Sequence, residues 1–257
     1  MNRSVFSLLK VGLFVFGLSA PGALVGQAND EARNWAAEGE LGGSVFFGNS
    51  SQSAFTAALS GDRGRELLRL RGRAGFAYGE ASNASGESFK NKEAWDVGAR
   101  LDIEPGTAVG AFFKSKVESI FEKKIDLRSG VGAGGKIRAG GDAVQAEFDL
   151  GLLVEKTILD ETSTLPDEVV GKWTAGFRLV RGMDEGRVRF ETETSIEPEL
   201  RDPGVFTLTS RSSLAFQLNQ RIAVQFSFVD GYDTEAENRG ARSNNDGQIF
   251  FGVVGRF

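Results

Sequence analysis

The sequence contains long stretches in which apolar residues alternate one for one with small or charged residues. From Ala94 to Ile103 the odd positions are apolar, and the even positions are small or charged. The same alternation runs through residues 144–152, 187–196, 206–218 and 221–228. A period of two is typical of a β-strand with one apolar face and does not fit the 3.6-residue period of a helix. The chain is therefore predicted to be all-β.

About twelve such strands can be placed along the chain. They are predicted at residues 37–48, 52–60, 66–79, 91–103, 108–117, 122–137, 143–156, 169–181, 186–196, 204–218, 222–230 and 247–257. The short turns are predicted at 61–64, 105–106, 140–142, 183–185 and 219–221, and the longer loops at 80–90, 157–168 and 231–246. The tight link at 49–51 and the poorly marked join at 118–121 are exceptions to this alternation. Short turns on one side and longer loops on the other are typical of an antiparallel transmembrane β-barrel. An even strand number puts both termini on the short-turn side.

Alternation alone leaves two environments open for the apolar face: the core of a soluble sandwich or lipocalin-like barrel, or lipid. Many predicted strands exceed the usual length of about 5–6 residues and suit a tilted bilayer crossing. Twelve strands also enclose a lumen too wide for one layer of apolar side chains to fill. The last residue, Phe257, shares its face with Ile249 and Phe251, which resembles the C-terminal assembly signal of bacterial outer-membrane proteins. We therefore favour a Gram-negative outer-membrane barrel.

The first 28 residues are predicted to be a secretory signal peptide. Arg3 and Lys10 precede an apolar run, and small residues lead to a cleavage site after Ala28. The run is too short for a transmembrane helix, which needs about 20 apolar residues. We expect residues 1–28 to be removed and residues 29–257 to form the barrel, located in the cell outer membrane after export through the periplasm.

The composition excludes several classes of function. The sequence has no Cys and no His, which excludes disulfides, thiolate or His metal sites and a Ser-His-Asp triad. The formal net charge of −5 argues against a nucleic-acid partner. Barrel phospholipases and lipid A deacylases activate their nucleophile with a His base, so we expect no enzyme activity. The acidic loop at 230–246 has oxygen ligands that suit calcium, but its spacing matches no EF-hand. We therefore expect no catalytic residue, cofactor or metal.

With the apolar face on lipid, the other face lines the lumen and carries many charged residues. The candidate lumen-lining residues are Arg69, Arg71, Arg73, Asp96, Arg100, Lys114, Lys116, Arg128, Glu147, Asp149, Arg178, Arg189, Glu191, Arg211 and Arg256. They form either a paired network that supports a narrow, watery interior or a constriction that sets ion selectivity. The arginines at 69, 71 and 73 form a basic ladder, and the preceding strand at 52–60 offers no carboxylate. Incomplete neutralisation of this ladder would favour anions.

The segment WAAEGELGGSVFFGNSSQSAF, which begins at Trp35, resembles the opening of the YdiY-like family of salt-induced outer-membrane proteins, a domain of unknown function. The resemblance continues through Tyr78, the segment NKEAWDVGARLDIEP and the glycine-rich stretch 130–134 to the C-terminal strand. Gly135 and Gly255 depart from it, since an aromatic residue, usually Tyr, is expected at both positions. The resemblance implies an outer-membrane barrel linked to osmotic or salt stress. It implies no catalytic or ligand residues.

Two functions are compatible with these patterns. The first is a narrow, porin-like channel with a charged lumen for ions or small solutes. The second is a non-conducting structural or interaction barrel that supports the envelope under osmotic or salt stress. In both cases the expected partners are outer-membrane lipid and, during biogenesis, the barrel assembly machinery. Pairing of the lumen charges distinguishes the two, because complete neutralisation favours the closed, structural barrel.

Deletion of Phe257 should impair membrane insertion, because this residue ends the last strand on the lipid side and supplies the terminal aromatic group of the assembly signal. The amount of heat-modifiable protein in the outer-membrane fraction measures the effect. An unchanged amount in the deletion variant would refute the role given to Phe257.

Overall fold

In a computed structural model of the chain, twelve antiparallel strands form a closed barrel in which each strand pairs with its neighbours in sequence and β1 pairs with β12. The structure describes residues 35–48, 52–65, 67–82, 88–103, 108–141, 144–163 and 165–256. Within these residues the strands are β1 Trp35–Gly48, β2 Gln52–Arg65, β3 Leu68–Ser82, β4 Ser88–Ile103, β5 Val109–Ile120, β6 Ile125–Gly140, β7 Val144–Leu159, β8 Glu168–Met183, β9 Val188–Pro198, β10 Phe206–Gln217, β11 Ile222–Asp233 and β12 Asn245–Arg256. The fold class predicted from the alternation is therefore confirmed.

Several strand boundaries differ from the prediction in ways that matter for the lumen, and two of them lie near β2 and β6. The predicted turn at 61–64 is part of β2, which continues to Arg65 and places Asp62 opposite Arg71 on β3. The strand predicted from residue 122 starts at Ile125, because a single-turn 3-10 helix, Phe121–Lys123, comes first. Lys124 closes this turn with a left-handed backbone, φ 58°, a conformation uncommon outside glycine.

The two faces of the barrel differ as the alternation predicted. Large apolar side chains are exposed on the outside of every strand, with Val97 51% and Phe226 47% exposed. The charged and small residues between them point into the lumen, where Asp102 is fully buried. An outer surface this apolar would be unfavourable in water, whereas it matches the lipid-facing band of a membrane barrel.

The connections on the terminus side include the short ones after β2, β6 and β10, and the longest described connection, residues 234–244, lies on the opposite side. We assign the terminus side to the periplasm, as short turns are periplasmic in outer-membrane barrels. The predicted signal peptide, residues 1–28, and the predicted assembly residue Phe257 both lie outside the described residues. No helix among the described residues is long and apolar enough to cross a membrane.

Glycine allows a close approach between two strands of the wall. Gly134 on β6 pairs with Gly151 on β7, and a Cβ at Gly134 would lie 2.2 Å from the carbonyl oxygen of Leu150. A Cβ at Gly151 would be equally close to the carbonyl of Ala133. This pair therefore lets the backbones of β6 and β7 lie closer together than a side chain at either position would allow.

Replacing Phe226 with Arg should lower the free energy of unfolding by about 2–4 kcal/mol, because it puts a charge into the lipid-facing band. Its neighbour Gln225 points into the lumen, where its amide Nε2 donates to Ser227 Oγ at 2.9 Å, so Gln225→Arg should cost much less. Equilibrium unfolding in lipid vesicles measures both. Greater destabilisation by Gln225→Arg would mean that the two faces are inverted.

Candidate functional site

The candidate site is the charged lumen. The structure places the lumen-lining residues predicted from the sequence on the inner face, where most of them form ion pairs. Those with an ion-pair partner are Arg69, Arg71, Arg73, Asp96, Arg100, Lys114, Lys116, Arg128, Glu147, Asp149, Arg178, Arg189, Glu191 and Arg256. Many of these pairs join strands that are not neighbours, so their side chains extend across the lumen.

The half of the lumen nearer the periplasm contains a group that we call the lower cluster. Its members are Arg71, Arg100, Asp102, Lys136, Glu147 and Asp149. Arg71 on β3 binds Asp102 at 2.6 Å and Glu147 on β7 at 3.1 Å. Arg100 on β4 binds Asp102 at 2.8 Å and Asp149 on β7 at 2.7 Å. Strands β3, β4 and β7 are thereby joined through the interior.

Asp102 is the centre of the lower cluster. Its carboxylate is fully buried and also accepts an ion pair from Lys136 Nζ at 3.3 Å. Beside it, the Arg100 guanidinium lies 4.3 Å from the centroid of the Phe112 ring, which is itself fully buried. A cation over an aromatic ring gains further stabilisation when water is excluded. The arrangement leaves little free space around this carboxylate.

A second group, the upper cluster, lies nearer the extracellular side. Its members are Lys114, Lys116, Arg128, Glu155, Lys172, Glu197 and Asp233. Lys114 and Lys116 on β5 bind the two oxygens of Glu197 on β9, at 2.7 and 2.9 Å. Glu155 on β7 binds Lys116 at 3.1 Å and Lys172 at 2.6 Å. This group therefore joins β5 through β9 across the interior.

The extracellular end is closed on one side by the connection between β11 and β12. Arg239 from this connection and Arg128 on β6 both bind the same oxygen of Asp233. Arg239 Nε also donates to the carbonyl of Lys123 at 3.4 Å, and Lys123 Nζ donates to the carbonyl of Gly231 at 3.3 Å. The connection is thereby bound to the short turn between β5 and β6.

The turn between β5 and β6 carries its own buried pair. Glu122 binds Lys92 on β4, and both side chains are largely buried. Burial raises the pKa of the Glu122 carboxyl above its ordinary value, while the Lys92 ammonium acts in the opposite direction. The pair therefore anchors the turn to the barrel wall.

The expectation that the basic ladder would be incompletely neutralised is wrong. Arg69 binds Asp62 at 2.6 Å, since β2 extends beyond its predicted end and brings this carboxylate to the inner face. Arg71 has two partners in the lower cluster. Arg73 has a longer contact, 3.9 Å from its Nε to Asp96. The argument for anion preference from these three arginines therefore does not hold.

The other half of the barrel, β1, β2 and β10–β12, is lined mainly by small and neutral polar groups. Gln248 Nε2 donates to Ser44 Oγ at 2.8 Å, and Ser44 shares a 2.8 Å hydrogen bond with Thr56. Apolar Phe250 and Val254 are buried on the same inner wall. Because this half has no dense ion-pair network among the described residues, it leaves open space beside the two clusters.

Three cavities occupy this open space and the gap between the clusters. The upper cavity, of about 210 Å³, is lined by Asp233, Asp246 and Arg128. The middle cavity, of about 120 Å³, is lined by Glu40, Arg73, Asp96, Arg211, Ser227 and Gln248, among others. The lower cavity, of about 270 Å³, is lined by residues that include Arg71, Arg100 and Glu147. The upper and middle cavities share Lys92, Val229 and Gln248, and the middle and lower cavities share Arg73.

Arg211 differs from the other predicted lumen residues. Neither it nor Glu40, which lines the same middle cavity, has a hydrogen bond or ion pair with any residue that the structure describes. Glu40 was not among the sequence-based candidates. Among the described residues, no group of three or more carboxylates is placed to hold a metal ion.

Several residues of the two clusters were missed by the sequence analysis. Lys136 and Lys172 have the same parity as Arg128 and Arg178 on their strands, so the alternation could have identified them. Glu197 and Asp233 fell beyond the predicted strand ends at 196 and 230. Phe112 shows no such signal, because an apolar residue on a charged face is recognised only from its contact with Arg100.

The sequence matches, over residues 39–257, the family described as "Protein of unknown function, DUF481". The chain belongs to the DUF481 family. No curated protein matches the sequence.

Solved structures with a similar fold are outer-membrane barrels. The NanC porin is 9% identical, with 86% of this chain and 98% of that chain covered and a TM-score of 0.53. The outer-membrane phospholipase of Salmonella typhi is 10% identical, with coverages of 84% and 89% and a TM-score of 0.49. The KdgM porin is 8% identical, with coverages of 87% and 99% and a TM-score of 0.47. At these identities the similarity concerns the fold. Together with the apolar outer band of this chain, the closed barrel fold makes it a bacterial outer-membrane β-barrel, surrounded by lipid.

Replacing Asp102 with Asn should lower the free energy of unfolding by about 3–5 kcal/mol, because it leaves buried cations without their shared partner. Asp62→Asn is the matched control, since its ion pair with Arg69 is about one-third exposed and such pairs contribute at most about 1 kcal/mol. Urea unfolding of the refolded barrel measures both. Equal effects would show that the lower cluster is open to water.

Proposed function

We propose that the protein is a narrow channel for ions and small solutes, and that the path follows the three cavities. The observation that carries this proposal is their sequence along the barrel axis, in which each cavity shares lining residues with the next. A barrel built only as a support would gain stability from filling this space, because empty space forfeits packing contacts. That the similar NanC structure is named a porin agrees with the proposal.

Arg73 lies at the junction between the middle and lower cavities of the proposed path. It is the residue common to the middle and lower cavities. Its 3.9 Å contact with Asp96 is longer than the ion pairs in the clusters, so its side chain is less firmly held. A charged side chain at the junction of two aqueous cavities sets both the width and the local field that a passing ion meets.

The two clusters act in this proposal as an internal support. Their ion pairs fill much of the side of the lumen formed by β3–β9, which confines passage to the space beside and between the two clusters. The charges there are paired and contribute little net field, so the proposed channel discriminates weakly between anions and cations. Passage is then limited mainly by size.

A second candidate function rests on the same ion pairs. A non-conducting barrel that supports the envelope would use Arg71–Glu147 and Lys116–Glu197 as cross-braces, and the extracellular closure by Arg239 would complete it. The resemblance to salt-induced outer-membrane proteins fits either candidate, and we propose a role under osmotic or salt stress in both cases.

The protein is proposed to have no enzymatic activity. The sequence has no His, the base that commonly activates a serine nucleophile. Among the described residues the charged groups of both clusters bind mainly one another, and Lys114 also donates to the hydroxyl of Thr174. The inner face is therefore suited to passage or support.

Single-channel recording in planar bilayers tests the channel. We expect small, well-defined openings for the wild-type protein and an increase of about twofold in conductance for Arg73→Ser, because removal of this side chain widens the junction between cavities. Arg189→Ser is the control, since Arg189 is 43% exposed, binds Glu191 and does not line the three cavities.

Three outcomes separate the candidates. An increase with Arg73→Ser alone supports the proposed path. Equal conductance in all three proteins would place the path elsewhere in the barrel. Absence of conductance in correctly inserted wild-type and Arg73→Ser protein would overturn the channel and favour the supporting barrel.

A further inference from the structure

The middle cavity places unpaired charges of opposite sign on different walls. Arg211 is on β10, and Glu40 is on β1. Both line the cavity, yet they are not within ion-pair distance of one another and have no other hydrogen bond or ion pair with a described residue. Most other lumen charges are matched at 2.6–3.9 Å; Glu193, the cross-strand neighbour of Arg211 on β9, is a further inner-face charge without an ion pair to a described residue.

The acidic wall is built by the register of the first four strands. Glu40, Ala58, Gly75 and Asp96 are paired in one continuous row across β1 to β4. The Asp96 carboxylate occupies space that is free only because residue 75 is glycine. A Cβ at Gly75 would lie 2.5 Å from Asp96 Oδ1. Two carboxylates therefore border a recess whose floor is the small residues Ala58 and Gly75.

The basic wall lies on the other side of the cavity. Arg211, Val229 and Gln248 are paired in one row across β10 to β12, and all three line the cavity with Ser227. A guanidinium offers several N–H donors in a planar fork that matches a carboxylate. The amide of Gln248 and the hydroxyl of Ser227 add neutral hydrogen-bonding groups beside it.

These two walls are complementary to a molecule that carries both charges. A simple anion at Arg211 would meet repulsion from Glu40 and Asp96, and a simple cation at those carboxylates would meet repulsion from Arg211 and Arg73. A zwitterion satisfies both walls at once. The volume of about 120 Å³ is well below the roughly 300–1,000 Å³ of pockets that take drug-sized ligands, so the ligand must be small.

We propose that the middle cavity is a binding site for small zwitterionic solutes, the class that includes free amino acids. The carboxylate of the solute binds Arg211, and its ammonium group faces Glu40 and Asp96. The site deepens the proposed channel function and rests on it for the passage of the solute, whereas binding itself requires no conduction.

Binding is tested with the purified protein in detergent micelles by ligand-observed NMR titration. The probes are glycine, acetate and methylammonium, of which the last two each carry one of the two charges of glycine. We expect glycine to bind at least about tenfold more tightly than acetate or methylammonium, because only glycine contacts both walls.

Two variants test the basic and the acidic wall separately. Arg211→Gln should weaken glycine and acetate together by about tenfold. Glu40→Gln should weaken glycine but leave acetate unchanged or bound more tightly, because it removes a repulsive carboxylate. Arg189→Gln is the control, since this arginine lies outside the cavity, and it should change neither.

The outcomes distinguish this site from the channel itself. Glycine binding with the opposed effects of the two variants supports the site, even in a protein that does not conduct. If acetate binds as tightly as glycine, and Glu40→Gln does not weaken glycine binding, the cavity is an anion site and the proposal is overturned. No binding of any probe to a protein that conducts would overturn the site and leave the channel standing.

Discussion

A charge enclosed by a β-barrel needs a counter-charge within reach, and here the counter-charge is supplied from across the lumen. Lys116 on β5 is matched by Glu197 on β9, and Arg71 on β3 is matched by Glu147 on β7. Breaking such a pair on one side leaves the other charge in a poorly hydrated place, which is costly. The inner faces of the strands that make these pairs are therefore constrained by strands with which they share no backbone hydrogen bond.

This constraint divides the barrel into two unlike halves. Strands β3–β9 contribute most of the ion pairs and the most deeply buried side chains, such as Asp102 and Phe112. Strands β1, β2 and β10–β12 contribute hydroxyl, amide and small apolar groups, with Ser44 and Gln248 as examples. Open space lies where the second half faces the first, and both proposals about passage and binding depend on that asymmetry.

The period of two in the sequence predicted the strands, their number and the face on which each side chain lies. Parity identifies which residues share the lumen, but it carries no information on which residue of a distant strand faces which. The ladder of Arg69, Arg71 and Arg73 was thus placed correctly, while its partners Asp62 and Glu147 could not be assigned. Asp62 was missed as a partner because the glycines at 61 and 64 suggested a turn, whereas β2 continues through these residues.

Other differences arise where local chemistry is ambiguous. The start of β6 was predicted too early, because Lys124 adopts a left-handed backbone conformation that is not expected for lysine. The ends of β9 and β11 were predicted too early, because Glu197 and Asp233 look like loop residues until their buried cationic partners are known. Polar residues near a strand end can be assigned to the strand only when their tertiary contacts are known.

The bond between Arg128 and Asp233 joins residues 105 positions apart in the chain. A sheet that grows strand by strand from β1 can form every backbone ladder up to β6 while Arg128 still lacks this partner. Without β11, the Arg128 guanidinium has no such partner and is more stable in contact with water. The pairing of β1 with β12 completes the ring of backbone hydrogen bonds that encloses this charge.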